Sequence, residues 1–462
     1  ILRVFYWRKM SRTIAAISTA GCGAIGVIKI SGNRSKKILE ELFKNAGKQR
    51  IESDKWQNKR LYYGTIEQDN RVLDEVMAVY MKAPHTYTRE DVVEIYTHGN
   101  AVCQRRILDA VIDEGAELAE PGEFTKLAFL NGRIDLTQAE AIIEMINAKS
   151  EEAFDLALQG LAGQNERSIG NARVRLQEIL VEMAVNIDYP DEDIEEINCQ
   201  KTIESIEEVI DELDEVIDIT RKRRVYRDGI RVAILGKPNA GKSSLLNELL
   251  MEDRAIISDI EGTTRDVIEE QILLSGIPIT LIDTAGIRES DNVIEKEGID
   301  RSYKAANEAD VVVYLIDSTK GPDGEDENVI KRLRADSLVV CFSKSDLPMS
   351  AKNKENKGLF DKSIDISIRN KSGMEELKSE LRKIAEEKNV AKTEGKRDRM
   401  VYEAIKAKKS LNEAKKALKK GLSLDFAEVD VKNAYAYLGN ITGDTASEEV
   451  INKVFERFCL GK

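Results

Sequence analysis

The chain has 462 residues, 42% of them apolar, with a formal net charge of −13 and only two histidines, His85 and His98. That length predicts about three domains, each large enough for its own core. No apolar run approaches the roughly 18 residues that span a bilayer, no export signal is evident, and the expectation is a cytoplasmic protein without membrane association.

Two further bounds follow from composition. Cys22, Cys103, Cys199, Cys341 and Cys459 form neither a metal spacing nor a disulfide framework. The negative charge argues against a general nucleic-acid coat, so any such recognition has to be local.

Residues 10–130 alternate short apolar runs with turn signals and predict a mixed α/β domain. Within it Gly21-Cys22-Gly23-Ala24-Ile25-Gly26 matches G-x-G-x-x-G, but a β-like run from Val27 to Ile30 follows. A dinucleotide fingerprint has to open a helix, so no second nucleotide site is expected. Residues 131–228 turn helical, with Ile203, Ile206, Ile210, Leu213 and Ile217 on one stripe. The acidic turn Asp188–Asp193 reads as helix-start acids. Arg221-Lys222-Arg223-Arg224 and the run from Lys406 to Lys420 are basic candidates for RNA contact that also read as solvated helix faces.

Residues 229–385 carry the nucleotide signals. Gly236-Lys237-Pro238-Asn239-Ala240-Gly241-Lys242-Ser243 is a complete G-x-x-x-x-G-K-S loop, preceded by the apolar run Ile230–Leu235 and followed by a helical run from Ser244. Asn239, Ala240, Gly241, Lys242, Ser243 and Ser244 form the phosphate-binding set, with Lys242 charged against the β and γ phosphates and Ser243 on Mg²⁺. Ile260-Glu261-Gly262-Thr263-Thr264-Arg265-Asp266 is the expected switch, whose Thr264 closes onto Mg²⁺, and Ser258 and Asp259 just before it join the GTP-binding set.

Asp283-Thr284-Ala285-Gly286 is the D-x-x-G of a GTPase, and Ser343-Lys344-Ser345-Asp346 the base-reading motif, with Ser343 in place of the usual asparagine. Asp346 accepts from guanine N1–H and the 2-amino group, a donor pair that adenine lacks, so GTP is the expected nucleotide. The neutral hydrogen bond lost at Ser343 costs on the order of 1 kcal/mol. Ser367-Ile368-Arg369 forms the last recognition loop. Ile287 cannot orient water, leaving Arg288, Glu289, Asp291, Glu295 and Glu297 as polar candidates nearby. Residues 386–462 return to a helical pattern and are expected to pack against 131–226, making the nucleotide domain an insertion.

The motifs outside the nucleotide domain are specific. Ile28-Lys29-Ile30-Ser31-Gly32, Glu94–Gly99, Pro121–Thr125, Ala128–Arg133, Asp135–Ala141, Ile187–Pro190 and Phe458-Cys459-Leu460-Gly461-Lys462 resemble the bacterial tRNA-modifying GTPase family MnmE (TrmE) from Met10 onward. Residues 1–9 are expected to be translated upstream sequence or the product of a misplaced start. The resemblance implies an N-terminal α/β folate-binding and dimerisation domain (10–130), a helical domain in two parts (131–228 and 386–462), and an inserted Ras-like P-loop GTPase domain (229–385).

It further implies a homodimer that works with an FAD-dependent MnmG (GidA)-like flavoprotein, as a heterotetramer, on C5 of the wobble uridine of certain tRNAs. The one-carbon donor is a 5-formyl- or methylene-tetrahydrofolate. Lys29, Glu94, Arg133 and Lys462 fall at the folate positions. Asn239, Ser258, Ile260 and Thr263 fall at K⁺ ligands, and Glu295 at the residue that orients water. Cys459 is read either as a catalytic thiol or anchor near folate and tRNA or as a small hydrophobe packed at a helix end; Gly461 and Lys462 fit a prenylation signal poorly. The competing reading is a regulatory or ribosome-assembly GTPase of the Era/Der type, which would show a KH module or a second GTPase domain.

Overall fold

A computed structural model describes residues 12–19, 23–188, 199–252, 269–283, 306, 309–333, 337–350, 360, 363–391 and 398–461. Seven strands form the first sheet: β1 (Ile14–Ile17), β2 (Ile25–Ser31), β3 (Phe43–Asn45), β4 (Leu61–Gln68), β5 (Arg71–Met81), β6 (Val92–His98) and β7 (Glu117–Leu118), in the order β3-β4-β5-β6-β2-β1-β7. All its pairings are antiparallel except β1 with β7. The two-residue period of β2 sends Ile28 and Ile30 into a core with Ile38 and Leu39 of α1 (Ser35–Leu42) and Ile107 and Val111 of α2 (Ala101–Asp113). Lys29 is thereby left on the other face, opposite Glu94 of β6. Because β2 begins at Ile25, a strand and not a helix follows the glycine-rich stretch.

Helices α3 (Glu123–Leu130), α4 (Leu136–Ile146), α5 (Glu151–Leu161), α6 (Gln164–Asp188) and α7 (Cys199–Asp228) follow. The stripe of α7, from Ile203 to Ile217, is buried. α7 runs into the second sheet through Gly229, held at φ 62°, where an added Cβ would lie 1.7 Å from the carbonyl oxygen of Pro278. That sheet comprises β8 (Ile230–Gly236), β9 (Glu269–Leu274), β10 (Ile277–Asp283), β11 (Val311–Asp317), β12 (Leu338–Ser343) and β13 (Ser363–Asp365), ordered β13-β12-β11-β8-β10-β9. Only the edge strand β9 is antiparallel. Its helices are α8 (Lys242–Glu252), α9 (Gly324–Arg332) and α10 (Met374–Ala391), and α11 (Arg399–Lys419), α12 (Leu424–Thr442) and α13 (Glu448–Phe455) complete the order.

The chain divides into two compact units. One holds residues up to Ile143 together with Gly160–Arg173 and the residues from Ala436 on. In it Ile451, Val454, Phe455 and Phe458 share a core with Ala128, Leu136, Ala139 and Ile142. The other holds Glu144–Gln159 and Val174–Tyr435, with α10 and α11 both packed on α7. The C-terminal helices are therefore shared out: α11 lies against α7, whereas α13 joins the unit of the first sheet.

Candidate active site

In the second unit, β8 is an interior strand, apolar from Val232 to Leu235, whose C-terminal end releases the phosphate loop, and α8 starts at Lys242, so its first N–H groups and positive dipole end face the loop. Asn239 has φ 65°, a left-handed conformation that asparagine adopts more readily than other side chains. Lys242 Nζ donates to the carbonyls of Gly236 at 2.8 Å and Lys237 at 2.9 Å. β10 and β12 end on the same edge as β8, where ligands of open α/β sheets bind. Asp283 is the last residue of β10, in register with Ile234.

The base-reading loop is joined to the phosphate loop through the residue that departs from the usual motif. Ser343 is buried, and its hydroxyl lies 2.7 Å from the carbonyl of Ala240 and 3.2 Å from that of Ile316. Its hydrogen bonding is thus spent inside the protein, bracing one loop on the other. Asp346 accepts from the Ser367 hydroxyl at 2.7 Å, which fixes its carboxylate. Ser345 N–H donates to Ile366 at 3.1 Å. Ile368 approaches Gly241, so both recognition loops meet the phosphate loop. Lys344 Nζ binds Asp317 at 2.7 Å. Burial works against the Asp317 carboxylate, but its bonds to Lys344 and Thr319 prevail and hold it below the ordinary range.

Ser258, Asp259, Ile260, Glu261, Gly262, Thr263, Thr264, Thr284, Ala285, Gly286, Glu295 and Lys462 lie outside the described residues, as do the acidic turn from Tyr189 and the side chain of Asp283. Of the proposed cation ligands, Asn239 and Ser243 are described, each offering the hard oxygen that Mg²⁺ and alkali cations require. Among the described residues, no group of three or more His, Cys, Asp or Glu is placed to hold a metal.

The first unit gathers a second constellation. Lys29 Nζ lies 5.5 Å from the ring centres of both Tyr87 and Phe124, and the Arg133 guanidinium 4.6 Å from Tyr87 on whose carbonyl its Nη1 also bonds at 3.3 Å. The Tyr87 hydroxyl is fixed by Thr125 at 2.9 Å. Glu94 accepts from Tyr96 at 2.7 Å; burial first and this carboxylate second push the Tyr96 phenol up to about 12. Two cations gathered at one aromatic ring suit an anionic, partly planar ligand. The sequence pattern did not single out Tyr87, because its role depends on the fold bringing residues 29, 87 and 133 together.

The tail containing Cys459 reaches this unit too. Its carbonyl accepts from Gly122 at the start of α3 at 3.4 Å, and Gly461 accepts from the Ser18 hydroxyl at 3.1 Å. The Cys459 thiol is exposed, while Phe458 beside it is buried. The basic runs are largely engaged internally. Arg223 and Arg224 are buried, Arg224 on Asp228. Lys408 binds Asp214, and Lys415 and Lys419 share Glu207.

A doubly wound sheet that carries a phosphate loop, an aspartate-led base loop and a D-x-x-G strand end on one edge defines a P-loop protein of the GTPase class. The family model for the MnmE helical domain matches residues 136–459, and that for the GTP-binding protein TrmE N-terminus matches 13–133. The chain is 41% identical to a tRNA modification GTPase MnmE of Finegoldia magna, over 98% of this chain and 100% of the relative. It is 40% identical to one of Clostridioides difficile, over 97% and 99%. A crystal structure of Aquifex aeolicus Era bound to GDP·AlF4⁻ aligns at 30% identity with a TM-score of 0.27, covering 34% of this chain and 56% of that one. The chain belongs to the MnmE family. Among the described residues no helix is long and apolar enough to cross a membrane.

Proposed function

We propose that this protein is a GTP-hydrolysing tRNA modification enzyme. With an FAD-dependent MnmG-like partner it adds an aminomethyl or carboxymethylaminomethyl group to C5 of the wobble uridine of certain tRNAs. The domain division at 130, 228 and 385, a cytoplasmic location and a homodimer within a heterotetramer belong to the same proposal. The observation that carries it is the pairing, in one chain related end to end to tRNA modification GTPases, of a guanine-reading loop with the Lys29–Tyr87–Arg133 constellation.

Lys29 and Arg133 are suited to hold the carboxylates of a tetrahydrofolate derivative, with Glu94 and Lys462 completing the set. When bound, the folate supplies the one-carbon unit. The protein's part is to orient it and to keep Tyr87 and Phe124 packed beneath the cations. Cys459, exposed on the same unit, is the candidate reactive thiol. The sheet face that carries Lys29 and Glu94 continues through Leu61, Tyr63 and Met77, which are 50%, 57% and 39% exposed. Such an apolar strip supports dimerisation over that face. At the GTP site, Ser243 and Thr264 hold Mg²⁺, Asn239 with the carbonyls of Ser258, Ile260 and Thr263 hold K⁺, and Glu295 orients water.

Analysis of wobble uridines after deletion of the gene tests the reading: loss of the C5 substituent, restored by the wild-type gene, is expected. Intact uridines alongside a ribosome-assembly defect would favour the Era/Der type instead. In vitro, GTP hydrolysis should require Mg²⁺ and rise when K⁺ replaces Na⁺ at fixed ionic strength.

A further inference from the structure

Lys237, the second residue of the phosphate loop, reaches three carboxylates at the start of α9. Its Nζ lies 2.6 Å from Asp323 Oδ1, 3.2 Å from Glu325 Oε2 and 3.3 Å from Asp326 Oδ2. Two of these acids are also held independently of the lysine. Asp323 caps α9 by accepting from the N–H groups of Glu325 at 2.9 Å and Asp326 at 3.1 Å. Asp326 is 3% exposed and accepts from the Tyr314 hydroxyl at 2.9 Å and from Asp323 N–H at 3.0 Å.

Acids suit a helix N-terminus, yet these are joined through Lys237 to a loop that receives a polyanion, and like charges repel. The bond to Lys237 first, with the α9 N–H groups behind it, holds Asp323 down to about 2, so this carboxylate stays ionised at physiological pH. The main chain of the same lysine also receives Lys242.

We propose that Lys237 is a positioning and shielding residue of the GTP site: by neutralising the α9 carboxylates it sets the affinity of the phosphate loop in proportion to the charge of the ligand. This rests on the GTPase reading, and a wild-type chain that fails to bind GTP would remove that reading itself.

The test is competition of GMP, GDP and GTP against a fluorescent GDP on the full chain, at low and high salt. Lys237→Met is expected to weaken GTP about tenfold, GDP less and GMP least, with the loss shrinking as salt screens the acids. Lys237→Arg should stay near wild type. Asp323→Asn with Glu325→Gln should restore most GTP affinity to Lys237→Met, because the asparagine oxygen still caps α9. With Lys237 intact, the same pair of changes should tighten GTP about two- to threefold. Wild type binding GTP normally while Lys237→Met loses all three nucleotides equally, or loses none, would overturn the inference, as would failure of the carboxylate changes in either background.

Discussion

Ser343 is one atom group shorter than the asparagine usual at its position, and the structure shows what its hydroxyl does: it ties the base loop to the phosphate loop at Ala240. Ser343→Ala removes that tie in a buried place, and we expect about 1–3 kcal/mol of lost stability together with weaker GTP binding. Thermal melts with and without GTP measure both. Asp346, the proposed guanine acceptor, is the complementary case, a carboxylate fixed by Ser367. Asp346→Asn presents a donor where guanine already donates and xanthine offers a carbonyl. Preference should therefore move toward xanthosine triphosphate, read by competition between the two nucleotides.

At the scale of elements, α7 passes into β8 through one glycine set against Pro278 of β10, immediately upstream of the phosphate loop. Gly229→Ala demands a left-handed φ from alanine and places a methyl on a carbonyl oxygen. We expect at least about 2 kcal/mol of destabilisation, seen as a lower urea midpoint for the nucleotide-binding unit. Much of this architecture was legible in the sequence, because strand β8, its loop, helix α8 and the stripe of α7 depend on local period and glycine spacing. What was not legible depends on distant partners. Nothing in the run Arg221–Arg224 shows that two of its arginines are buried, since the partners and walls of that site come from the fold. The inward turn of Ser343 and the platform at Tyr87 were hidden for the same reason: each needs residues separated by 40 or more positions to meet.

For the whole molecule, the two units divide the labour. The described nucleotide-binding residues lie in one, while Lys29, Arg133 and the exposed Cys459 lie in the other. Cys459→Ser is therefore expected to leave GTP hydrolysis and the melting temperature near wild type while lowering wobble-uridine modification in cells. Full modification at normal protein level would show the thiol to be dispensable. An exposed position makes the test clean, since serine there buries no new hydroxyl.

The bond from Ser18 to Gly461 joins residues 443 positions apart. During translation, residues 12–143 emerge long before 448–461, and a vectorially growing chain folds what it has already made. The first sheet can close its own core from residues 15–116, but the helical core around Ala128, Leu136 and Ile142 that receives Phe455 and Phe458 stays open until the intervening nucleotide-binding unit has been synthesised. The order of synthesis thus delays completion of the first unit until after the nucleotide-binding one, and a ribosome-stalled nascent chain should expose that core to chaperones for most of its lifetime.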